Sequence, residues 1–305
     1  MNLDGALLLD KPVGLSSNAA LQKAKRLLGA AKAGHAGTLD PLASGLLLVL
    51  FGEATKFAGP LLDADKEYLA TLELGARTTT GDAEGEVIER KPVEVKKAML
   101  LAVLERFHGE IEQVPPMHSA LKHAGTPLYR LARRGQQVAR APRRVRILEL
   151  ELRKLEGAFL ALRVVCSKGT YIRVLAEDIG EALGCGAHLS ALRRTASGRF
   201  RVEDALNLEA LEKIGLEDRR QRLLELPALL EGLPRAELGA ADEARLRQGQ
   251  AFKISGLHQG LCAVVPSDGD VIGLGAADGA GNLKPLRLTQ TAEKHLKSAT
   301  HTKRE

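Results

Sequence analysis

The chain contains a loop punctuated by glycine and proline that leads into an apolar run: Gly34-His35-Ala36-Gly37-Thr38-Leu39-Asp40-Pro41-Leu42-Ala43-Ser44-Gly45, then Leu46-Leu47-Leu48-Val49-Leu50. The apolar run predicts a buried strand over residues 46–51. Pro41 disfavours helical geometry at Asp40, and the glycines allow the backbone to approach a ligand closely. One carboxylate therefore lies on a loop supported by a strand, a common place for chemistry. The alternative is a turn in which Asp40 hydrogen-bonds its own backbone.

The composition is that of a globular protein. The chain has 305 residues, of which 45% are apolar and 27% charged, and its length suggests about two domains. No apolar run reaches the roughly 20 residues that a membrane-spanning helix needs. We expect a cytoplasmic protein, because the start lacks the pattern of an export signal and the three cysteines are not paired in spacing.

Positive charge is concentrated in one segment of the chain. The net charge is +6, and no Asp or Glu occurs between Gln113 and Leu148. Contact with the phosphates of a nucleic acid explains such a run, and a solvated basic face is the alternative. The segment carries eight cationic residues: Lys122, Arg130, Arg133, Arg134, Arg140, Arg143, Arg144 and Arg146.

The order of the predicted elements favours an α+β fold, because strands lie on both sides of helices without regular βαβ alternation. Ser16 or Ser17 is expected to cap a helix that ends at Gly29. Further helices are predicted over residues 53–62, 95–107, 171–183 and 219–230. Strands are predicted over residues 5–9, 66–74, 145–152 and 159–166, with a loop over residues 75–86.

The C-terminal part differs from the rest of the chain. Gly232-Leu233-Pro234 marks a domain boundary, and the sequence then becomes rich in glycine. Short strands over residues 251–254, 261–265, 271–274 and 286–288 predict a small β-barrel, and the polar tail is expected to fray. The predicted organisation is a first domain over residues 1–230, a second over 231–290 and a tail over 291–305.

Several common catalytic motifs are missing from the sequence. Gly273-Leu274-Gly275 begins like a dinucleotide loop, but Asp278 stands where the last glycine is needed. There is no phosphate-binding loop of the Gly-x4-Gly-Lys type, no His-Glu-x-x-His motif and no Gly-x-Ser-x-Gly elbow. We therefore expect neither a metal nor an organic cofactor.

Aromatic residues are scarce, so each tyrosine is conspicuous. The chain has no Trp and three tyrosines, Tyr68, Tyr129 and Tyr171. A nucleobase that has left its stack needs a flat side chain to stack on, and tyrosine provides one. The alternative is a buried tyrosine whose hydroxyl is satisfied inside the protein.

Taken together, these segments resemble the TruB family of tRNA pseudouridine synthases. The fold implied is a catalytic domain with a mixed, mainly antiparallel central sheet flanked by helices, followed by a small β-rich domain of the PUA type. The activity implied is isomerisation of uridine 55 in the tRNA T-loop, without a cofactor. The matching segments are residues 8–12, 34–45, 52–57, 66–68, 113–122, 166–173 and 192–194.

The resemblance also implies a role for individual residues. Asp40 corresponds to the nucleophile, and the sequence leaves open whether it attacks C1′ of the ribose, attacks C6 of the base, or assists loss of the 2′ proton. Arg173 corresponds to a buried arginine that holds this carboxylate ionised. Tyr68 would stack on the flipped uracil, while Tyr171 would position the base or remove the C5 proton.

Four more residues are implied in substrate binding. Leu192 would close the apolar wall of the pocket, and His35 would replace the extruded base in the loop. Lys11 and Lys56 would support a turn or contact the RNA backbone.

The acid-free segment corresponds to an insertion over about residues 117–146 that folds over the T-arm. Its presence implies an enzyme that acts alone, without an obligate protein partner, and we expect a monomer. The C-terminal domain would contact the acceptor stem. The cations expected to grip phosphates are Lys122, Arg130, Arg133, Arg134, Arg143 and Arg144.

Two other functions stay open at this point. The chain could be a tRNA-folding helper whose main effect is to open the elbow of tRNA, or a related synthase that acts on a different uridine. The tRNA partner is common to the enzyme and the helper.

Overall fold

The computed structural model describes residues 3–267 and 269–290, and the predicted tail lies outside them. Within these residues the chain forms a ten-stranded sheet, a five-stranded sheet and two two-stranded hairpins. The strands are β1 Gly5–Lys11, β2 Ala33–Ala36, β3 Ala43–Phe51, β4 Lys66–Leu74, β5 Ala76–Thr78, β6 Val87–Arg90, β7 Gly109–Gln113, β8 Lys122–His123, β9 Thr126–Pro127, β10 Arg143–Glu156, β11 Phe159–Cys166, β12 Ala187–Ser197, β13 Phe200–Arg201, β14 Leu206–Asn207, β15 Arg235–Leu238, β16 Phe252–Lys253, β17 Gly260–Pro266, β18 Gly273–Ala277 and β19 Asn282–Leu288.

Helices join these strands. Short 3-10 helices span Gly52–Phe57 and Val202–Asp204. The α-helices are α1 Ser17–Leu27, α2 Ala58–Asp63, α3 Lys97–Glu105, α4 Leu128–Ala132, α5 Ile172–Ala182, α6 Leu208–Lys213, α7 Leu216–Gln221, α8 Leu226–Leu229 and α9 Ala240–Arg247.

The large sheet has the order β14-β1-β3-β12-β4-β11-β10-β7, with β2 added to β3 and β13 to β12. The pairs β1–β14 and β3–β12 are parallel, whereas the other pairs of this sheet are antiparallel. The predicted α+β fold with a mixed, mainly antiparallel sheet is therefore confirmed.

Strand β3 lies at the centre of the hydrophobic core. Leu47 and Val49 pack with α1 and α6, whereas Leu46 and Leu48 belong to a second cluster that includes Val265 of the C-terminal sheet. A strand buried on both faces needs a continuous apolar run rather than an alternating one, which explains its sequence. Helices α3 and α5 cover β4, β10 and β11 in a third cluster.

The structure corrects several predicted elements. The prediction of one helix over residues 219–230 is wrong, because the chain forms two helices, α7 and α8, with a break between them. Pro227 has no backbone N–H group, so it cannot donate the hydrogen bond that a continuous helix would need at this position. Residues 53–62 begin as a 3-10 helix before α2, and the predicted loop over 75–86 contains β5, which pairs with β6. The strand predicted over residues 271–274 begins and ends later in the chain, as β18 Gly273–Ala277.

Strand β12 is the largest element that the sequence pattern missed. It lies between β3 and β4 in the centre of the sheet, although it contains Arg193 and Arg194 in succession. Two arginines in a row interrupt the apolar alternation by which a strand is predicted. Strand β15 and helix α9, also unpredicted, belong to the C-terminal part.

Candidate active site

The loop that carries Asp40 is tied to helix α1. The hydroxyl of Ser17 donates to the carbonyl of Leu39 (2.9 Å) and accepts from its amide (2.7 Å), and Ser17 is buried. Ser16 is the helix N-cap and accepts from the amide of Ala19 at 3.1 Å. The two adjacent serines thus have different tasks, and Ser17 fixes the backbone next to Asp40.

Asp40 lies against Arg173, at the start of helix α5. Nη2 of Arg173 is 3.0 Å from Oδ2 of Asp40, and the side chain of Arg173 is 6% exposed, whereas that of Asp40 is 42% exposed. The carbonyls of Thr80 and His118 accept from the same guanidinium at 3.1 and 2.7 Å. A buried, fixed cation therefore orients a carboxylate that an incoming molecule can reach.

Asp82 is a member of this site that the sequence did not reveal. Its Oδ2 lies 3.5 Å from Nε of Arg173, and its side chain is 4% exposed. Its Oδ1 accepts from the Thr80 hydroxyl at 2.5 Å and from the Glu84 amide at 3.1 Å. The carboxylate is held by its own turn, and through Nε it holds the guanidinium whose Nη2 contacts Asp40. The sequence offers one indication of Asp82: it is an acidic residue in the segment 78–82, whose threonines and glycine favour a turn.

The charge of Asp40 acts on both predicted tyrosines. Tyr68 is buried on β4, and burial raises its pKa, with the charge of Asp40 as a lesser contribution. Burial likewise raises the pKa of Tyr171, whose backbone amide donates to Gln113 (3.0 Å). Both phenols are therefore neutral near pH 7.

Leu192 lies on β12 opposite Ala70, two residues along β4 from Tyr68. Its side chain packs against the core cluster that contains Tyr68 and Leu39. These residues place apolar surface beside the Asp40 loop, to which Leu39 belongs.

His35 lies on β2, opposite Val49. Burial lowers the pKa of its imidazole, with the charge of Arg194 acting in the same direction, so the ring is neutral at pH 7. Its Nδ1 is buried without a hydrogen-bond partner among residues 3–267 and 269–290.

The two predicted lysines occupy different settings. Lys11 is fully buried and donates to the carbonyls of Pro12 (2.8 Å) and Leu15 (2.6 Å), so it holds the turn after β1. Burial lowers the pKa of Lys11 to about 8, and the charge of Asp40 opposes this. Lys56 pairs with Glu53 (2.7 Å) and donates to the carbonyl of Leu288 (2.9 Å), which links the first domain to β19.

The buried side chain of Arg194 forms hydrogen bonds with the backbone on both sides of Asp40. It is 1% exposed, and its guanidinium donates to the carbonyls of Leu46 (2.6 Å) and Gly37 (3.1 Å). Gly45 has φ +100° at this contact, and a Cβ there would lie 2.2 Å from the carbonyl oxygen of Arg194. Only glycine permits this approach of β3 to β12.

We expect Gly45→Ala to lower the free energy of unfolding by about 3 kcal/mol, because backbone strain and steric overlap add. Gly109→Ala is the matched control: Gly109 has φ +83° and no atom within 4 Å of an added Cβ. It is expected to cost only about 1–2 kcal/mol. Denaturant unfolding measures both, and equal losses would contradict a role for the contact with Arg194.

The first residues of the basic insertion, and Gln113 just before it, contact the site. Gln113 holds Tyr171 and the carbonyl of His118 holds Arg173, as described above. The insertion continues through β8, β9 and α4, and Arg144 forms ion pairs with Glu110 (3.1 Å) and Glu112 (3.8 Å) of β7. The six cations expected to contact phosphate are all exposed: Lys122, Arg130, Arg133, Arg134, Arg143 and Arg144.

Two features are absent from residues 3–267 and 269–290. No group of three or more His, Cys, Asp or Glu side chains there is placed to hold a metal ion. Likewise, none of the helices described is both long and apolar enough to cross a membrane.

Family models match nearly the whole chain. The model of the TruB family pseudouridylate synthase N-terminal domain matches residues 25–172. The chain belongs to the TruB family. Two further models cover the rest: the tRNA pseudouridylate synthase B C-terminal domain matches residues 173–235, and the C-terminal domain of pseudouridine synthase II TruB matches residues 234–289. As a TruB family member the chain is an isomerase.

Curated relatives agree with this assignment. The chain is 54% identical over 291 residues to the tRNA pseudouridine synthase B of Thiobacillus denitrificans, covering 95% of this chain and 97% of that protein. It is 52% identical over 291 residues to that of Dechloromonas aromatica, with the same shares covered. It is 53% identical over 296 residues to that of Burkholderia mallei, covering 95% and 98%.

Solved structures of related proteins share the fold. A chain of a Cbf5–Nop10–Gar1 complex aligns with a TM-score of 0.73 and 31% identity, over 92% of this chain and 80% of that one. A chain of an H/ACA RNP bound to a substrate RNA containing 2′-deoxyuridine aligns with a TM-score of 0.70 and 28% identity, over 95% and 80%.

Proposed function

We propose that this TruB family enzyme converts uridine 55 of the tRNA T-loop to pseudouridine, with Asp40 as the nucleophile and without a cofactor. The observation that carries the proposal is the pair of Asp40 and Arg173, in which a buried guanidinium orients an accessible carboxylate. The relatives named tRNA pseudouridine synthase B support tRNA as the substrate.

The reaction is balanced within the nucleoside. The bond between C1′ and N1 breaks, a bond between C1′ and C5 forms, C5 loses its proton and N1 gains one. Asp40 must be ionised at the start, and the fixed positive charge of Arg173 favours that form. The geometry is compatible with attack at C1′, attack at C6, or assistance in loss of the 2′ proton.

Tyr68, Leu192 and Tyr171 form the receiving pocket in this proposal. A flipped uracil would stack on the neutral ring of Tyr68, with Leu192 beside it. Burial raises the pKa of Tyr171, so its phenol is protonated and can position the base. The phenol can accept the C5 proton only if a neighbouring group first takes the phenolic proton. The neutral ring of His35 would occupy the gap left in the T-loop.

In the same proposal, the two domains have different roles. The first domain over residues 1–230 carries the chemistry, and the PUA-like second domain over residues 231–290 contacts the acceptor stem. Lys56 reaches the RNA backbone beside that junction, and Lys11 holds the neighbouring turn. We propose that the enzyme acts in the cytoplasm, alone and as a monomer.

Release of tritium tests the proposed reaction directly. The wild-type protein is incubated with tRNA that carries tritium at C5 of its uridines. We expect about one equivalent of tritium per tRNA, and none when uridine 55 is replaced by cytidine. Release that persists with the replaced tRNA would show a different target uridine, and no release with either tRNA would contradict the synthase activity.

Substitution of Tyr68 separates stacking from structure. We expect Tyr68→Leu to lower kcat by about 100-fold, because a flat partner for the base is lost, while the Kd for tRNA changes by less than about threefold. Leu69→Ala, on the opposite and exposed face of β4, is the control and should leave kcat unchanged. Equal losses of kcat and of affinity in Tyr68→Leu would show that Tyr68 is only structural.

The helper function also has an observation in its favour, namely that the insertion presents six exposed cations, which can bind RNA whether or not a uridine is isomerised. We expect alanine at Arg133, Arg134 and Arg143 together to weaken tRNA binding and to reduce the slope of log Kd against log salt by about 2. The control is alanine at Arg153, Lys154 and Lys168, which are exposed cations outside the insertion. An unchanged slope would contradict the phosphate contacts.

A further inference from the structure

Ser119 is a buried polar residue beside the active site to which the proposed function gives no role. It lies near the start of the basic insertion and is 6% exposed. Its hydroxyl oxygen is buried and forms no hydrogen bond of standard geometry with any group in residues 3–267 and 269–290. A buried hydroxyl without a partner costs free energy, so a group that comes into line with it stabilises this arrangement.

The chain on either side of Ser119 is held against the start of helix α5. The side chain of Gln113 accepts from the amide of Tyr171 at 3.0 Å and donates to its carbonyl at 3.3 Å. The carbonyl of His118 accepts from the guanidinium of Arg173 at 2.7 Å. These contacts bring the first residues of the insertion alongside the two residues of α5 and its N-cap that belong to the site.

The hydroxyl of Ser119 lies beside the phenol of Tyr171. Burial, the largest influence, raises the pKa of Tyr171, and the nearby hydroxyl of Ser119 acts in the opposite direction. A neighbouring hydroxyl lowers the pKa of a phenol when it donates, because the hydrogen bond stabilises the phenolate. The serine therefore faces the phenol oxygen as a donor. Its backbone is fixed as well, since the amide of Tyr129 donates to its carbonyl at 3.0 Å.

A donor on one side of a phenol oxygen determines where the phenolic proton points. A neutral tyrosine has one proton to donate and can also accept through its oxygen. When Ser119 donates to this oxygen, the proton of Tyr171 is directed to a different acceptor. Tyr171 is partly exposed whereas the oxygen of Ser119 is buried, so a bound base reaches the phenol but not the serine.

We propose that Ser119 is a positioning residue for Tyr171: its hydroxyl donates to the phenol oxygen and directs the phenolic proton toward a carbonyl oxygen of the bound uracil. The inference rests on the proposed function, since it takes a uracil at the Asp40 site as its starting point. The same donor stabilises the phenolate if a neighbouring group takes the phenolic proton, so it supports both roles left open for Tyr171.

A double-mutant cycle tests whether Ser119 acts through Tyr171. Single-turnover release of tritium from tRNA labelled at C5 of its uridines is measured with the full-length protein, and the Kd for tRNA is measured separately. We expect Ser119→Ala to lower the rate about tenfold and to change the Kd by less than about twofold, because one hydrogen bond is lost without loss of an RNA contact. In the Tyr171→Phe protein, which lacks the phenol oxygen, the same substitution should change the rate by less than about twofold.

Ser119→Thr gives a second, independent measurement. Threonine keeps the hydroxyl, so this variant should recover most of the rate that Ser119→Ala loses. It decides the question even where Tyr171→Phe is too slow for the cycle.

Ser197→Ala is the matched control. Ser197 is 2% exposed, and its hydroxyl also has no hydrogen-bond partner in the described part of the chain, but it is the last residue of β12. This variant should release tritium at the wild-type rate. Thermal unfolding should show Ser119→Ala to be as stable as the wild type, because removal of an unpaired buried hydroxyl leaves no group unsatisfied.

Four results would overturn the proposal. Ser119→Ala could keep the wild-type rate, weaken tRNA binding as much as it lowers the rate, or cost the same factor with and without the phenol of Tyr171. A folded Ser119→Thr protein as slow as Ser119→Ala would also count against a role of the hydroxyl. If the wild-type protein itself releases no tritium, the proposed function fails instead.

Discussion

Asp40→Asn is expected to release no detectable tritium from C5 of uridine 55 while binding tRNA with an affinity within about threefold of the wild type. Asparagine has nearly the shape of aspartate but carries no negative charge, so it cannot act as the nucleophile. Asp40 is 42% exposed and forms its ion pair with Arg173, which three other groups also hold, so its neutralisation should disturb the fold little. In the proposed function, tRNA binding depends instead on the cations of the insertion, which are exposed.

Asp63→Asn is the matched control for this variant. Asp63 is an exposed carboxylate at the end of α2 that pairs with Lys168 at 2.8 Å. Its neutralisation should leave tritium release unchanged. If Asp40→Asn retains a tenth or more of the wild-type rate, Asp40 is not the nucleophile. If both activity and tRNA binding disappear while the protein stays folded, Asp40 is a binding residue.

Arg173→Lys is the substitution with the second largest expected effect, a fall in kcat of about 100- to 1,000-fold. The guanidinium contacts Asp40, Asp82 and the carbonyls of Thr80 and His118 at once. A lysine ammonium keeps the charge but has no planar fork, so it cannot satisfy both carboxylates in this geometry. Loss of one preorganised charged contact at a reacting group has an effect of about this size.

The rate and the stability of this variant should both be measured. Asp82 would be left buried without its partner, so we expect the free energy of unfolding to fall by up to about 3 kcal/mol. Arg163→Lys is the control, because Arg163 also contacts several carboxylates, including Glu149 and Glu151, but lies away from Asp40. An Arg173→Lys protein with wild-type kcat would contradict the orienting role of the arginine.

Asp82→Asn would show whether the support of Arg173 acts through Asp40. The amide keeps the size of the side chain and removes its charge. A positioning role predicts a fall in kcat with little change in the Kd for tRNA, together with a shift of the pH–rate profile. A merely structural role would lower stability and leave that profile in place.

The sequence correctly predicted those strands and helices whose residues are determined by local features, such as one buried face or a capping residue nearby in the sequence. The alternation of β4 follows from one buried and one exposed face, and the observed bounds Lys66–Leu74 match the prediction. The helix after Ser16 has its cap in the neighbouring sequence. The prediction of one helix over residues 219–230 was wrong because it did not take account of Pro227, which lies at the start of the separate helix α8. Strand β12 was missed because two of its residues are arginines.

The site itself was predicted only in part. The resemblance to the TruB family, now confirmed, pointed to Asp40, Tyr68, Tyr171 and Arg173. The structure pairs Asp40 with Arg173, and the charge of Asp40 acts on both tyrosines. It did not point to Ser17, Asp82 or Arg194, whose importance lies in partners distant along the chain. Their roles are therefore visible only in the folded protein.

The sequence by itself determined the fold class, the apolar strand beneath the Asp40 loop and the acid-free insertion, since each depends on composition or spacing along the chain. Tertiary structure alone decided what holds the Asp40 carboxylate. Ser17 contacts Leu39 across 22 positions, and Arg173 reaches Thr80 across 93. A hydrogen bond requires two groups to lie about 3 Å apart in a defined direction, and for groups so distant in sequence only the packing of strands and helices provides that geometry.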